Sequence, residues 1–567
     1  MIPALNWAKG YSWTVFRRDL QAGLTVGVML VPQAMAYALL AGVPPVYGLY
    51  ASLIPLAVYT LLGTSRHLAA GIMAIDSLMV IAAAGTVAEP GTDAFITAVV
   101  ALATMTGLIQ LAMGIARFGF LVALLSRPVL AGFASAAALT IGLSQIPALI
   151  GAHPAPGRGT LDFFRGLEGI LLHLTPWSAL IGLSAVLTIL MVRRVAKSVP
   201  GALVVVVFGT LAVWLFGLDL HVQIVGEVPS GLPTPTFEPI SWAMVRRLFP
   251  AAVTIALVQF TTVISLGKVF ASRHGYRIDA NRELIALGAM NFFGSLFRGI
   301  PVSGSFSRTA VNEAAGGTTP ATNLIAAALV GVTLLFLTPA FHYLPIPVLA
   351  AIIVIAAFGM VDVPEIRVLL RTKRIDGLIA LITFAVTLLV GIQEGIITGI
   401  AASITAVMFR ITRPDVVELG HLPETRLFRE MDRNPDVRSI DGVYILRFEA
   451  SFSFVNAEFI REHIISHLDE SPDTRALLID ATSINDLDTT AAETLRELSD
   501  TLRKRDVRLV FSGVKGRVTD VLAATGLLER IGPENFYYSS HRAVRDILQS
   551  WGRSHEYRHT QGSDDDE

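Results

Sequence analysis

From Leu20 to about Phe409 the chain runs in apolar stretches, each roughly 20 residues long, the length that spans the hydrocarbon of a bilayer. About fourteen such stretches can be counted, some broken by Gly or Pro. The first holds Pro32, followed by Gln33, Ala36 and Tyr37. A proline inside a span withholds one backbone donor and loosens the helix there. Pro44-Pro45-Val46-Tyr47-Gly48 predicts a turn, and Gly63 to His67 ends the second span. Leu68 to Gly71 reads as extended, with a short helix from Ile72. The same order returns later: Gly294, Arg298, an extended piece, Gly304, then a helix. The echo falls at corresponding places of two halves, about 20–220 and 245–410. Paired interrupted segments in two halves are the best sequence pointer to a transporter site.

The second interruption, Pro301 to Asn312, is the most polar stretch between long apolar runs. It carries hydroxyls, a flexible Gly304 and Arg308. Charge inside a membrane is costly and faces a cavity or an ion path. Irregular backbone at that depth is tolerated only beside protein or water. The stretch therefore predicts a half-helix that begins within the membrane. Its free amide groups and dipole, with the guanidinium of Arg308, suit an anion. The plainer alternative is a polar loop at the membrane surface.

After Arg413 the pattern changes to that of an ordinary soluble domain. Strands are predicted over Gly442 to Phe448, Ala476 to Ile479 and Arg508 to Ser512, with a last one within Glu534 to Ser540. Helices are predicted over Asn456 to Leu468, Ala491 to Arg505, Val518 to Thr525 and His541 to Trp551. Alternating strand and helix make a small α/β domain. The expected organisation is an interfacial segment 1–19, a membrane domain 20–410, a linker 411–435, the α/β domain 436–551 and a polar, disordered tail 552–567.

Composition agrees. The chain is 53% hydrophobic and only 16% charged, as an integral membrane protein is. A net charge of −1 gives no nucleic-acid footprint. With no cysteine, disulfides and thiolate metal sites are excluded, and no cofactor or metal is expected. Ala4 to Leu20, with Trp7, Lys9, Trp13, Arg17 and Arg18, fits an interfacial segment before the first span. These cations, with Arg117, Arg193, Arg194, Lys197, Lys268, Arg273, Arg371, Lys373, Arg374, Arg410 and Arg413, fall on one side if both termini are cytoplasmic. Arg246, Arg247 and Arg298 fall on the other, so the positive-inside signal is good but imperfect. His555-Glu556-Tyr557-Arg558-His559 has the form of a zinc-protease motif. It stands in a polar tail with no third ligand, so it reads as coincidence, and no enzyme is expected. Asp564 to Glu567 read as a solvated acidic end.

Several motifs carry a resemblance. Pro32 to Ala38 and Gly42 to Tyr50 look like the signature of the sulfate permease (SulP) family, whose animal members are the solute carrier 26 anion transporters. Lys268 to Leu287 and Gly304 to Asn312 are similar to the same family, and the C-terminal region resembles its STAS domain. The resemblance implies a polytopic α-helical membrane protein of fourteen segments in two inverted seven-segment repeats, forming a core and a gate, plus a cytoplasmic STAS domain. It implies an elevator-like carrier, commonly homodimeric, with the anion between the N-termini of the third and tenth helices. Carried over by motif, the anion site would comprise Gln33, Tyr37, Met73, Ser305, Phe306, Ser307 and Arg308. The expected location is the cell (inner) membrane, multi-pass, with the lipid bilayer and a cytoplasmic regulator of the STAS domain as partners.

Two positions depart from the family pattern. Asp76 stands one turn into the third helix, where relatives usually carry an apolar residue. It reads as a protonatable coupling group, as a partner for Arg308, or as a carboxylate that merely benefits from a helix N-terminus. Thr262 stands where many coupled relatives carry a carboxylate, so Asp76 would have to replace it from across the site. In the STAS-like region Thr489 matches a phosphorylatable position, against the plainer reading that Thr489 or Thr490 caps the helix from about Ala491. The leading expectation is secondary active transport of a small inorganic anion, most of all sulfate. Bicarbonate/chloride exchange, dicarboxylate transport, a channel or voltage-responsive motor, and a sensor are the alternatives.

Overall fold

The computed structural model describes residues 7–8, 10–120, 126–152, 160–195, 200–359 and 361–553. Lys9, Lys197, the His555 to His559 motif and the acidic tail lie outside the described residues. The chain divides into two compact units, Met1–Ser403 and Ile404–Glu567.

Among the described residues nine helices are long and apolar enough to cross a membrane, the last of them running past the boundary into the second unit, and two shorter apolar helices accompany them. Helix α1 (Trp13–Leu40) is capped by Ser12 and runs unbroken past Pro32. The expected boundary at residue 19 thus falls inside one helix, and Asp19 is fully buried. Where a turn was expected, Pro45–Tyr50 forms a short helix. Pro45 stands at its first position, where a proline's fixed φ starts a helix and its missing N–H costs nothing. Gly48 lets this helix lie on α1, because a Cβ there would meet the Ala34 carbonyl oxygen at 2.0 Å.

Strand β1 (Ala70–Gly71) leads into α2 (Ala74–Ala84), which starts two residues later than Ile72 because Met73 is extended and serves as its N-cap. Helices α3 (Asp93–Ile115), α4 (Trp242–Arg273) and α5 (Ala280–Ser295) follow. Strand β2 (Ser303–Gly304) then opens α6 (Phe306–Ala314), and α7 (Ala321–Val332) comes next. The two short strands pair antiparallel, Ala70 with Gly304 and Gly71 with Ser303.

This pairing settles a problem that bare backbone has in lipid, where every N–H and C=O needs an internal partner. Side chains of the later segment complete it. Thr309 Oγ1 accepts from the Ala69 amide at 3.0 Å, and Asn323 accepts from the Ala70 amide at 2.9 Å. Asn323 also donates to the Leu68 carbonyl and Asn312 to that of His67, each at 2.8 Å. Two buried carboxylates brace the flanking loops. Glu283 on α5 accepts from Tyr59 at 3.0 Å, from the Thr64 amide and hydroxyl at 2.6 and 2.5 Å, and from the Ser65 amide at 2.8 Å. Asp19 on α1 accepts from the amides and hydroxyls of Thr318 and Thr319. Each carboxylate thus serves the loop beside the interrupted segment of the opposite half.

The second unit is a six-stranded sheet in the order β4-β3-β5-β6-β7-β8. Its strands are β3 (Val416–His421), β4 (Phe428–Glu430), β5 (Val443–Phe448), β6 (Ala476–Asp480), β7 (Arg508–Ser512) and β8 (Phe536–Tyr537). Strands β5 to β8 are parallel, and β3 lies antiparallel to β5. Alternation along β5 divides the core. Tyr444, Leu446 and Phe448 pack with α8 (Ala457–Glu470) and α9 (Thr489–Lys504), whereas Val443 and Ile445 pack with α10 (Ser540–Ser550).

Three expectations need correction here. The stretch 411–435, expected as a linker, supplies β3 and β4; Pro414, Pro423 and interspersed charge hide two short strands, of which β4 forms the edge of the sheet. The last strand shrinks to Phe536–Tyr537. Helix α9 is capped by Asp488, whose Oδ1 accepts from the Ala491 amide at 2.8 Å, so neither Thr489 nor Thr490 is the cap.

Candidate anion site

The site grows from the paired strands. Each strand delivers the chain, still extended, to the start of a half-helix: Met73 caps α2 and Ser305 caps α6. The first amides of each helix have no partner within it, and each carries the positive end of the helix dipole. Ser305 accepts from the Arg308 amide and lies 3.3 Å from the Ser307 hydroxyl.

Arg308 is 1% exposed, the largest fully buried side chain of the described residues. One guanidinium nitrogen donates to Gln33 Oε1 on α1 at 3.2 Å, and the other to the Ile72 carbonyl at 2.9 Å. Its Nε has no partner, and among the described residues no carboxylate comes within 4.0 Å of it. Gly71 makes room for it: φ is +138°, and a Cβ would stand 3.0 Å from Arg308 Nη2. The result is one buried positive charge, held by neutral acceptors from two other segments. Gln33 turns its carbonyl to Arg308, which leaves its amide N–H₂ free to donate. Tyr37, 6% exposed, follows one turn later on α1.

Asp76, 2% exposed, accepts from Ser303 Oγ at 2.6 Å. That hydroxyl also contacts Met73 Sδ at 3.1 Å. Asp76 is thus bonded to Ser303 of β2 and Arg308 to the Ile72 carbonyl just after β1, and the two form no ion pair, so Asp76 is not a direct hydrogen-bonded partner of Arg308. Phe306 and Ser307 are exposed at the open start of α6, where the Phe306 ring stands 6.1 Å from that of Phe270 on α4. Thr262 spends its hydroxyl on its own helix, at 2.8 Å from the Val258 carbonyl. Thr489 belongs to the second unit and is exposed in the first turn of α9.

The structure thus joins Gln33 to Arg308, Ser305 to Ser307 and Arg308, and Met73 to Ser303 and Asp76. It adds a fully buried polar set. Gln110 donates to Gln259 Oε1, and Asn291 donates to Gln110 and to Gln259, each at 3.0 Å. Asn291 Oδ1 accepts from the Val302 amide at 2.7 Å, one residue before Ser303. Three amide side chains on α3, α4 and α5 therefore fix the strand that presents Ser303 to Asp76. Their only trace in the sequence is an isolated polar residue in each of three apolar runs. Among the described residues, no cluster of three or more His, Asp or Glu is placed to hold a metal ion. What the structure gathers here is a buried guanidinium and two half-helix starts with amide and hydroxyl donors, a set that binds an anion by charge and hydrogen bonds.

Comparison with known proteins supplies the family and the fold. Residues 16–383 match the model of the sulfate permease family, and residues 434–543 that of the STAS domain. The chain is 34% identical to "Sulfate transporter 4.1, chloroplastic" of Arabidopsis thaliana over 97% of this chain and 83% of that one. It is 35% identical to a probable sulfate transporter of Mycobacterium tuberculosis over 96% of this chain and 99% of that one. The murine Slc26a9 anion transporter, solved in the inward-facing state, superposes with a TM-score of 0.88 at 27% identity, over 97% of this chain and 94% of that one. The transmembrane domain of the cyanobacterial bicarbonate transporter BicA shares the fold at a TM-score of 0.61 and 24% identity, over 70% of this chain and 98% of that one.

Proposed function

We propose, because the chain belongs to the sulfate permease family, that it carries a small inorganic anion, sulfate before others, across a membrane by alternating access. The observation that carries this is Arg308: a buried guanidinium that forms no ion pair among the described residues, at the meeting of two half-helix N-termini. A buried charge without a counter-charge is expensive, and an anionic substrate supplies that counter-charge. The Arabidopsis and Mycobacterium relatives are named as sulfate transporters, which favours sulfate over bicarbonate, chloride or a dicarboxylate.

In this reading Ser305 and Ser307 donate hydroxyls, Gln33 donates its amide, and the amides at the starts of α2 and α6 complete the cradle. Tyr37, Met73 and Phe306 set its size. The core built on the strand pair would move as a body against the remaining helices, as in an elevator. The protein would sit as a homodimer in the cell membrane with both termini cytoplasmic.

Asp76 is the coupling group of this proposal. It is buried and bonded through Ser303 to the strand that opens α6, so its charge state acts on the half-helix that holds the anion. Binding a proton together with the anion would keep the recess near neutral during transit. Thr262, bonded to its own helix, takes no part in the proton's movement. The STAS domain would receive a cytoplasmic regulator, with Thr489 as an accessible phosphorylation position.

Proteoliposomes holding the purified protein test the assignment. Labelled sulfate uptake is measured against competing bicarbonate, chloride, oxalate and fumarate, for wild type, Arg308→Ala and Ser307→Ala. Sulfate should compete best, and both variants should lose uptake. Unchanged uptake in both would remove the site. A second reading, an uncoupled channel, is favoured by Thr262 alone; passage faster than any alternating-access cycle, insensitive to a pH gradient, would select it.

A further inference from the structure

A second positive recess lies apart from the anion site, and none of the residues assigned to that site lines it. It encloses about 290 Å³ among the loop after helix Ile54–Leu62, the loop between α4 and α5, and the start of α7. Arg66, Arg277 and Arg282 line it, against one carboxylate, Asp279. That carboxylate is engaged: its Oδ1 caps α5 by accepting from the Asn281 and Arg282 amides at 3.0 and 3.2 Å, and its Oδ2 is 3.5 Å from Arg282 Nε. Two carboxylates behind this wall are taken up by donors: Glu283, buried under Thr64 and Ser65, accepts four bonds, and Asp19 accepts four from Thr318 and Thr319. Arg66 and Arg277 have no acidic partner within 4.0 Å among the described residues.

We propose that this recess binds a phosphate monoester, carried by a lipid headgroup or by a soluble phosphate. The chemistry narrows the class. A monoester is close to a dianion at neutral pH and offers three strong acceptor oxygens. Guanidinium groups bind such oxygens in parallel pairs. Arg66 lies over the Tyr276 ring, 5.3 Å from its centroid, which holds the guanidinium in place before a ligand arrives. The volume holds one headgroup and little more.

Position gives the site a consequence. Arg66 is four residues before β1, and Pro320 of the same recess directly precedes α7, which supplies Asn323 to that strand. A ligand that ties these loops together stiffens the frame from which both half-helices hang. Bound phosphate therefore acts on the transport rate from outside the transport path.

The test uses the full-length protein reconstituted in phosphatidylcholine containing phosphatidic acid, a monoester, or phosphatidylglycerol, a diester. Lipid retained per protein is counted by native mass spectrometry, with inorganic phosphate as competitor. Wild type should retain phosphatidic acid roughly fivefold over phosphatidylglycerol. Arg66→Gln with Arg277→Gln should abolish the preference, and each single change should weaken it; both side chains are exposed, and the variants should keep wild-type melting temperatures. Displacement by millimolar inorganic phosphate, or phosphate binding without lipid preference, supports the soluble source. Arg308→Ala should retain the preference in full, so this result stands or falls apart from the anion-site assignment. Equal retention of both lipids by wild type with no phosphate binding, or no change in the double variant, overturns the proposal.

Discussion

At the scale of single residues, the recess depends on the shape of Arg308 as much as on its charge. The guanidinium fork reaches Gln33 and the Ile72 carbonyl at once. A lysine restores the charge but not the fork. Arg308→Lys should therefore keep measurable sulfate affinity, weaker by about tenfold, while Arg308→Ala should lose about a hundredfold, both read from uptake KM. Asp76→Asn keeps the acceptor for Ser303 and removes the titration. Uptake by this variant should persist and should no longer respond to an imposed pH gradient; a full wild-type response would end the coupling role. Much of this was legible beforehand. Arg308 among hydroxyls between apolar runs marked the half-helix that carries the buried guanidinium, and Gly304 marked the break. What could not be read was who holds Arg308. Gln33 lies 275 residues away, and no periodicity relates the two. Gln110, Gln259 and Asn291 were hidden for the same reason: a lone polar residue in an apolar run signals burial with a partner and does not say which.

At the scale of elements, the two short strands are only two residues each, too few to hold together by their own ladder. They persist because side chains from α6 and α7 take up the remaining backbone groups, and because Glu283 and Asp19 fix the loops at either end. Glu283→Ala strands four donors in a buried place. The cost should be on the order of 3 kcal/mol, seen as a lower melting temperature in detergent, while Glu462→Ala, at an exposed position of helix α8, should melt as wild type does. Gly71→Ala tests the strand itself. Its φ of +138° disfavours any side chain, and the added methyl would press on Arg308. Affinity should fall more than thermal stability, since the nearest atom belongs to the guanidinium proposed to bind the anion. The sequence pattern located both breaks to within two residues, because Gly and polar clusters punctuate apolar runs. It missed the short helix at Pro45, where one proline pair serves equally for a turn and for a helix start.

At the scale of the whole molecule, the two units invite separation, and the place of the cut matters. A boundary at residue 430, reasonable if 411–435 were a linker, would leave β3 and β4 attached to the membrane unit and strip β5 of its antiparallel neighbour. Both fragments would then carry an open sheet edge, a template for aggregation. A cut after Arg413 removes the sheet whole. Protein ending at Arg413 should remain monodisperse in detergent and bind sulfate, while protein ending at Glu430 should aggregate; size-exclusion profiles distinguish them. The separate fragment 414–553 should fold, and it carries its own titration. Tyr444 is 4% exposed and stacked on His467 with centroids 3.5 Å apart. Burial, aided by the charge of Glu418, pushes its phenol well above the usual value near 10. The native state therefore keeps its proton while the unfolded chain gives it up, so the stabilisation is complete below about pH 10 and drains away as pH rises beyond it. Tyr444→Phe keeps the ring stack and removes the proton. Denaturant midpoints of the wild-type fragment should fall steeply above about pH 10, those of the variant distinctly less; parallel curves would mean that the alkaline loss originates at another group.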